Sequence, residues 1–188
     1  MDFYGSYLLL ANRQTIWRAL NDTMVLKTAI PGCHHIEWVS ESALELKIKV
    51  NLGIVHPIFS GQLELSDIEP AKNYVLKGRG HGRILGLAHG SAAISLSDVD
   101  QFVTDQAMRD FVSQLKNAAD AGAEAEITWL RFSATGGASE RIMKLGKKIV
   151  GGSAQRVIDR FFVGFAAAID THVHVLPGAT GANKKVIR

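Results

Sequence analysis

The chain has 188 residues, 47% of them hydrophobic, with 21 Lys plus Arg against 18 Asp plus Glu and a formal net charge of +3. A chain of that length buries roughly 70% of its unfolded surface around one core, so a single domain is expected. The charge is too small and too evenly spread for a nucleic-acid partner. No run reaches the ~18 apolar residues of a spanning helix, which limits any membrane contact to a peripheral one. The lone Cys33 excludes an internal disulfide, and the first residues lack the basic-then-apolar pattern of a leader, so the cytoplasm is the expected compartment, with peripheral attachment at the inner face of the cell membrane as its limit.

Phe3 to Ala11 is an aromatic and aliphatic run that reads as a strand, and Asn12 is a suitable N-cap for a short helix over Arg13 to Leu20. Asp22 caps a second short helix, which must end before Pro31 because the residue preceding a proline is pushed out of the α region. From Cys33 to Leu96 the hydrophobic period changes to two, with turn signals about every ten residues. This is an antiparallel meander. Leu44, Leu46, Ile48 and Val50 alternate with charged residues, as do Phe59, Gly61, Leu63 and Leu65 with polar ones, giving each strand one dry face.

The next two strands keep the alternation and change its content. In one, Tyr74, Leu76, Gly78, Gly80 and Gly82 form the inward set, while Lys77, Arg79, His81 and Arg83 point out. In the other, Gly86, Ala88, Gly90, Ala92, Ile94 and Leu96 share a face. Two adjacent strands then present almost no side-chain volume on one side. Interiors pack to crystal-like density, so either a neighbouring element or ligand fills this patch, or the glycines serve bends in a strongly curved sheet.

Residues 98 to 122 break the strand period. Val103, Ala107, Phe111, Leu115 and Ala118 recur at helical spacing, with Thr104 as a cap and Gly122 as a stop. Alternation returns over Glu124 to Ala134, with Ile127 and Trp129 on one side, and Gly136-Gly137 closes that strand. Ser139 then caps a long helix whose stripe is Ile142, Leu145, Ile149, Val157, Phe161, Phe165 and Ile169. Some thirty residues would span roughly 45 Å, the width of a sheet. Gly151-Gly152 offers a kink or a close approach to the sheet. The domain is expected to end at residue 176, leaving 177–188 as a mobile tail.

These pieces resemble the CoxG family of carbon monoxide dehydrogenase subunits, which are START-like (SRPBCC) proteins. The matching residues are Gly5 with Ile16-Trp17-Arg18-Ala19-Leu20-Asn21-Asp22, Ile30-Pro31-Gly32-Cys33, and Leu52-Gly53 followed by Phe59-Ser60-Gly61. Gly78-x-Gly80-x-Gly82, Gly86-x-Ala88-x-Gly90, Leu145-Gly146 and Phe161-Phe162 complete the set. The resemblance implies an α+β helix-grip fold, a seven-stranded antiparallel sheet wrapped around the long C-terminal helix. Two departures stand out: a helix inserted between the last two strands, and no long tail of the kind that contacts the membrane. The inserted helix is expected over an end of the grip or against another subunit.

What the resemblance implies in function is a non-catalytic accessory protein of molybdenum-containing CO dehydrogenase or a related hydroxylase. It would carry a quinone or lipid in the grip and link the enzyme to the membrane or quinone pool. A START-like enzyme of cyclase or hydrolase type and a ligand-free scaffold are the competing readings. The expected cavity, of ~300 Å³ or more, is lined by Phe59, Leu63, Tyr74, Leu76, Gly78, Gly80, Ala88, Trp129, Ile149 and Phe161, with Arg131 at its mouth. Trp129 is flat enough to stack on a quinone ring, and Arg131 could donate to a ligand carbonyl, although packing and a rim ion pair serve as well.

Other candidates carry less chemistry. Cys33 beside His34 and His35 reads as a small core residue, because neighbours on a strand point to opposite faces. His172 and His174 lack a third ligand and read as a solvated helix end, so neither a metal nor a covalently bound cofactor is expected. Arg141, Lys144 and Lys148, with Lys147, Arg156 and Arg160 nearby, make a basic stripe that suits anionic lipid, an acidic partner or plain solvent.

Overall fold

The computed structural model describes residues 1–50, 56, 58–83, 86–101, 106–118, 125–144, 147–176 and 181–182. The chain runs β1 (Asp2–Leu9), α1 (Arg13–Leu20), α2 (Thr23–Ala29), then a meander of β2 (Cys33–Ser40), β3 (Ala43–Lys49), β4 (Ile58–Glu69), β5 (Asn73–Gly82) and β6 (Gly86–Asp98). One turn of 3-10 helix, Val99–Gln101, leads toward α3 (Gln106–Ala118), and β7 (Thr128–Ala138), α4 (Glu140–Met143) and α5 (Lys147–Ala168) follow. Two short strands, β8 (Val173–Val175) and β9 (Gly181–Ala182), come last. The antiparallel sheet has the order β2-β3-β4-β5-β6-β7-β1-β8, with β9 also pairing β1. This is the helix-grip architecture, with two short strands beyond the seven expected.

Local chemistry sets the first elements. Asn12 accepts a hydrogen bond from the Thr15 amide at 2.8 Å, and Asp22 accepts from Met24 and Val25 at 2.8 and 3.3 Å, so both helices start where a side chain satisfies an orphan donor. Asp22→Ala should lower stability by about 1 kcal/mol in chemical denaturation, with little effect on the slope of the transition. At Gly32 the φ of +75° and the approach of the Lys49 carbonyl to where a Cβ would stand both require glycine.

The core sits between the sheet's inner face and the C-terminal half of α5. Phe162, Phe165 and Ala166 pack there against Tyr7, Leu9, Leu96 and Leu130, together with Ile16, Ala19 and Leu20 of α1. The Tyr7 ring stacks on Phe162 at 3.8 Å between centroids, and Trp17 meets Tyr74 edge-on at 5.5 Å. Helix α2 lies on α5 where Gly164 faces Ala29; a Cβ at Gly164 would stand 3.2 Å from the Ala29 carbonyl oxygen, so the glycine permits the close crossing. A second group, Leu26, Ile36, Leu44 and Leu46, extends the core under β2 and β3 and touches Phe161.

Three sequence expectations change here. Gly136-Gly137 does not close β7. Both glycines lie inside the strand, opposite Gly90 and His89, and β7 spans Thr128–Ala138 rather than 124–134. The expected single long helix is divided into α4 and α5, and the Leu145-Gly146 step between them falls outside the described residues. Helix α5 stops at Ala168, Asp170 takes a φ of +50°, and the chain turns back so that His172 and His174 lie not on a helix end but against β1. There His174 pairs with Leu8, and its ring meets Phe111 at 5.1 Å.

The inserted helix also lies elsewhere than expected. Met108, Phe111, Val112 and Leu115 pack on Leu8, Val99, Ile127 and Trp129, which is the outer face of β1 and β7 and not an end of the grip. Ala107, placed on the apolar stripe by its spacing, is exposed, because the docked stripe is Met108, Phe111, Val112 and Leu115. Val103, Thr104 and Gly122 lie outside the described residues.

Candidate functional site

The site is built from what the inner face lacks. Cross-strand register places Gly61, Gly80 and Ala88 side by side on β4, β5 and β6, and continues to Ala138 on β7. The next row is Leu63, Gly78, Gly90 and Gly136, and the one after it Leu65, Leu76, Ala92 and Ala134. Strand pleating turns each row to the same side. Small residues therefore run across four strands, and the large residues flanking them are Leu46 and Ile48 of β3 with Phe59 and Leu63 of β4.

These residues enclose a concavity of about 260 Å³. Of the expected lining, Phe59, Leu63, Gly78, Gly80 and Ala88 are there, and Leu46, Ile48, Gly61 and Gly90 join them. The volume falls a little short of the ~300 Å³ expected, at the foot of the range for small-molecule sites. The reason is visible at the glycines. At Gly82 the Phe59 ring covers the glycine, 2.9 Å from where a Cβ would be, and at Gly5 the rings of Phe132 and Tyr7 do the same. At Gly80 the nearest atoms to a Cβ are the Ser60 carbonyl oxygen at 3.5 Å and Gly61 Cα at 3.9 Å, an ordinary contact with space beyond. Some missing side chains are thus replaced by aromatic rings and others leave room.

Five expected lining residues lie elsewhere. Tyr74 is buried in the filled half of the grip against Trp17, and Leu76 packs on the same cluster. Phe161 stacks on Phe165 at 5.8 Å, where it bridges the two core groups rather than facing open space. Trp129 is on the opposite side of the sheet, since Thr128 and Leu130 take the inner positions. Its indole N–H donates to Ser6 Oγ at 2.5 Å. Arg131 shares that outer face with its guanidinium 4.7 Å from the Trp129 ring centroid, so neither residue reaches the grip. The side chain of Ile149 lies outside the described residues.

The electrostatics of the inner face are quiet. Burial, reinforced by the Asp159 carboxylate 3.5 Å from its hydroxyl, raises Tyr7 above the usual tyrosine range, and burial alone does so for Tyr74. Both remain neutral phenols. Burial also pushes the Cys33 thiol up, against the opposing effects of its bond to the His35 carbonyl and of Lys27. Cys33 packs at the margin of the Leu26, Ile36, Leu44 and Leu46 group, and His35 is paired with Glu37 at 3.2 Å. Lys144, Arg156 and Arg160 are exposed, whereas the side chains of Arg141, Lys147 and Lys148 lie outside the described residues. Among the described residues no helix is long and apolar enough to cross a membrane.

Solved structures share this architecture at low identity. A conserved protein from Geobacillus kaustophilus matches with a TM-score of 0.71 and 20% identity over 93% of this chain and 99% of that one. A protein from Chromobacterium violaceum gives 0.58 and 10% over 90% and 97%, and one from Thermus thermophilus gives 0.57 and 12% over the same shares. Those likenesses speak for the fold alone. Comparison with curated proteins finds no match. The family model for the CoxG subunit of carbon monoxide dehydrogenase matches residues 5–104, from β1 through the glycine-rich strands that shape the concavity and on past β6. More than half of the sequence carries that pattern, and the chain belongs to the CoxG family of carbon monoxide dehydrogenase subunits.

Proposed function

We propose that the chain is a non-catalytic accessory protein of a molybdenum-containing CO dehydrogenase or related hydroxylase, holding an apolar molecule of quinone or lipid type in the grip. In this role it links the enzyme to the membrane or quinone pool, from the cytoplasmic side. The observation that carries the reading is the open apolar space over Gly80 and Ala88 within a CoxG-family fold. Leu46, Ile48, Phe59 and Leu63 offer dispersion contacts and no directional polar group, which suits a hydrocarbon chain or ring edge. Arg79 and His89 border this concavity, but strand pleating turns their side chains to the face opposite Gly80 and Ala88, which leaves no convergent acid and base of the kind an enzyme of cyclase or hydrolase type needs among the described residues of the lining.

Native mass spectrometry of gently purified protein, followed by solvent extraction, tests the reading. A stoichiometric adduct that extracts as a quinone or lipid is the expected result. A mass equal to the bare chain, combined with no response to a fluorescent apolar probe such as 1-anilinonaphthalene, would favour the ligand-free scaffold. The rings of Phe59 and Phe132 over Gly82 and Gly5 are the observation that favours that alternative.

A further inference from the structure

The outer side of the same glycine strands carries a second concavity, larger than the first at about 650 Å³ and with more polar groups in its lining. Lys77 and Arg79 stand two residues apart on one face of β5, roughly 7 Å from each other by strand geometry. His89 of β6 lies directly opposite Arg79, and Ser91 opposite Lys77; Thr135 of β7 continues the row from Ser91. Among the described residues the one carboxylate in the lining is Glu64, whose Oε1 is 3.3 Å from Arg79 Nη2. Lys77 and His89 have no ion-pair partner among the described residues.

Glu64 stands directly opposite Lys77 on β4 and also reaches Arg79, so one carboxylate serves two cations. Lys77 and Arg79 exceed that carboxylate by one positive charge, and cations sharing a sheet face are ordinarily matched one for one with acids. The backbone also adapts to hold them. His89 faces Gly137, and a Cβ there would stand 2.7 Å from Cε1 and Nε2 of the imidazole, so the ring occupies space that glycine leaves free. The result is a floor of backbone with two hydroxyls and three nitrogen-bearing side chains of β5 and β6 on one face.

We infer that this outer concavity is a binding site for a phosphate-bearing anion, held by Lys77, Arg79 and His89 with Ser91 and Thr135 as hydroxyl donors. A guanidinium offers a fork of donors to phosphate oxygens, and an ammonium adds a compact charge. Glu64 competes for Arg79 and sets the affinity below its limit. The two concavities share the strand segments Gly78-Arg79 and His89-Gly90 as a common wall, and strand pleating puts the side chains of Lys77, Arg79 and His89 on the opposite face from Gly80 and Ala88.

Isothermal titration of the full chain with inorganic pyrophosphate at low salt tests the inference. Lys77→Gln and Arg79→Gln should each weaken binding roughly tenfold. Glu64→Gln should strengthen it a few-fold, which a merely structural role for that residue would not do. Lys27→Gln, which removes an equal charge on α2, should leave affinity unchanged. Co-sedimentation with phosphatidylcholine vesicles containing phosphatidic acid distinguishes the source. Vesicle binding lost in the Lys77 and Arg79 variants identifies a lipid headgroup, and pyrophosphate binding without vesicle binding identifies a soluble ligand. All the substituted side chains are exposed, and equal thermal stability of the variants checks that they remain folded. Absence of binding to both anions, or equal weakening by Lys27→Gln, overturns the inference.

Discussion

Gly80→Leu is expected to weaken an apolar probe such as 1-anilinonaphthalene by roughly tenfold or more while changing stability by less than ~1 kcal/mol. A leucine placed in a packed interior typically costs about 1–3 kcal/mol, because neighbours must leave their rotamers. At Gly80 no neighbour stands in the way of the first carbon, and the rest of the side chain enters the open space bounded by Leu46, Ile48 and Phe59. The burial gained offsets the entropy of fixing the side chain. The volume is small, about 260 Å³, so a leucine occupies a large part of it and the penalty falls on the ligand. Ala88→Leu, on the paired position of β6, should behave alike. Two comparisons make the result specific. Gly82→Leu meets the Phe59 ring and should destabilise the fold, and Lys77→Leu on the outer face should leave probe affinity nearly unchanged. Thermal unfolding and probe titration of these variants read both quantities. If the parent protein binds no probe and Gly80→Leu unfolds more easily, the space is a packing defect and the scaffold is the better account.

The legible part of the sequence is the part with one wet face. Along β3, β4, β5 and β6 the alternation of apolar and polar residues survives because one side of the sheet meets solvent, and for that reason spacing alone places Lys77 and Arg79 outward, where they are. The end of β7 nearest α3 defeats the same rule. Ile127, Thr128 and Leu130 are all buried and Trp129 is half-buried, the even positions against the grip core and the odd ones under α3, so hydrophobicity no longer distinguishes the faces. Spacing puts Trp129 and Arg131 on the wrong side as a direct consequence. Gly136-Gly137 misleads for a different reason. Glycine pairs usually end strands, but here β6 opposes them with Gly90 and His89, and the small-residue surface continues through the pairing. The cavity itself is half readable: glycine parity locates it, while the rings over Gly5 and Gly82 depend on rotamers that no spacing rule reports.

The larger effect on stability should come from the other side of the sheet. Val112→Asp is expected to lower stability by roughly 3 kcal/mol or more, since it removes a buried aliphatic group and places a carboxylate among Leu8, Val99 and Ile127. Phe111→Asp should act in the same direction and less strongly, because Phe111 is only half-buried and an aspartate there can turn toward water. A helix of 13 residues is marginal on its own, so α3 depends on this docking for its existence. Once it lifts, Leu8, Ile127 and Trp129 become an exposed apolar patch on β1 and β7, and the protein should self-associate at concentrations where the parent does not. The grip should feel little of this. The concavity lies across β3 to β6 on the inner face, and the residues that pack behind Leu8 and Trp129 belong to the outer face. Denaturant unfolding, sedimentation velocity and probe titration on the folded fraction therefore separate two roles for the insertion. Loss of stability with probe affinity retained identifies α3 as a cover for the outer face. Probe affinity falling in proportion to α3 undocking would instead tie the helix to the cavity, and the assignment of the two faces to separate tasks would have to be abandoned.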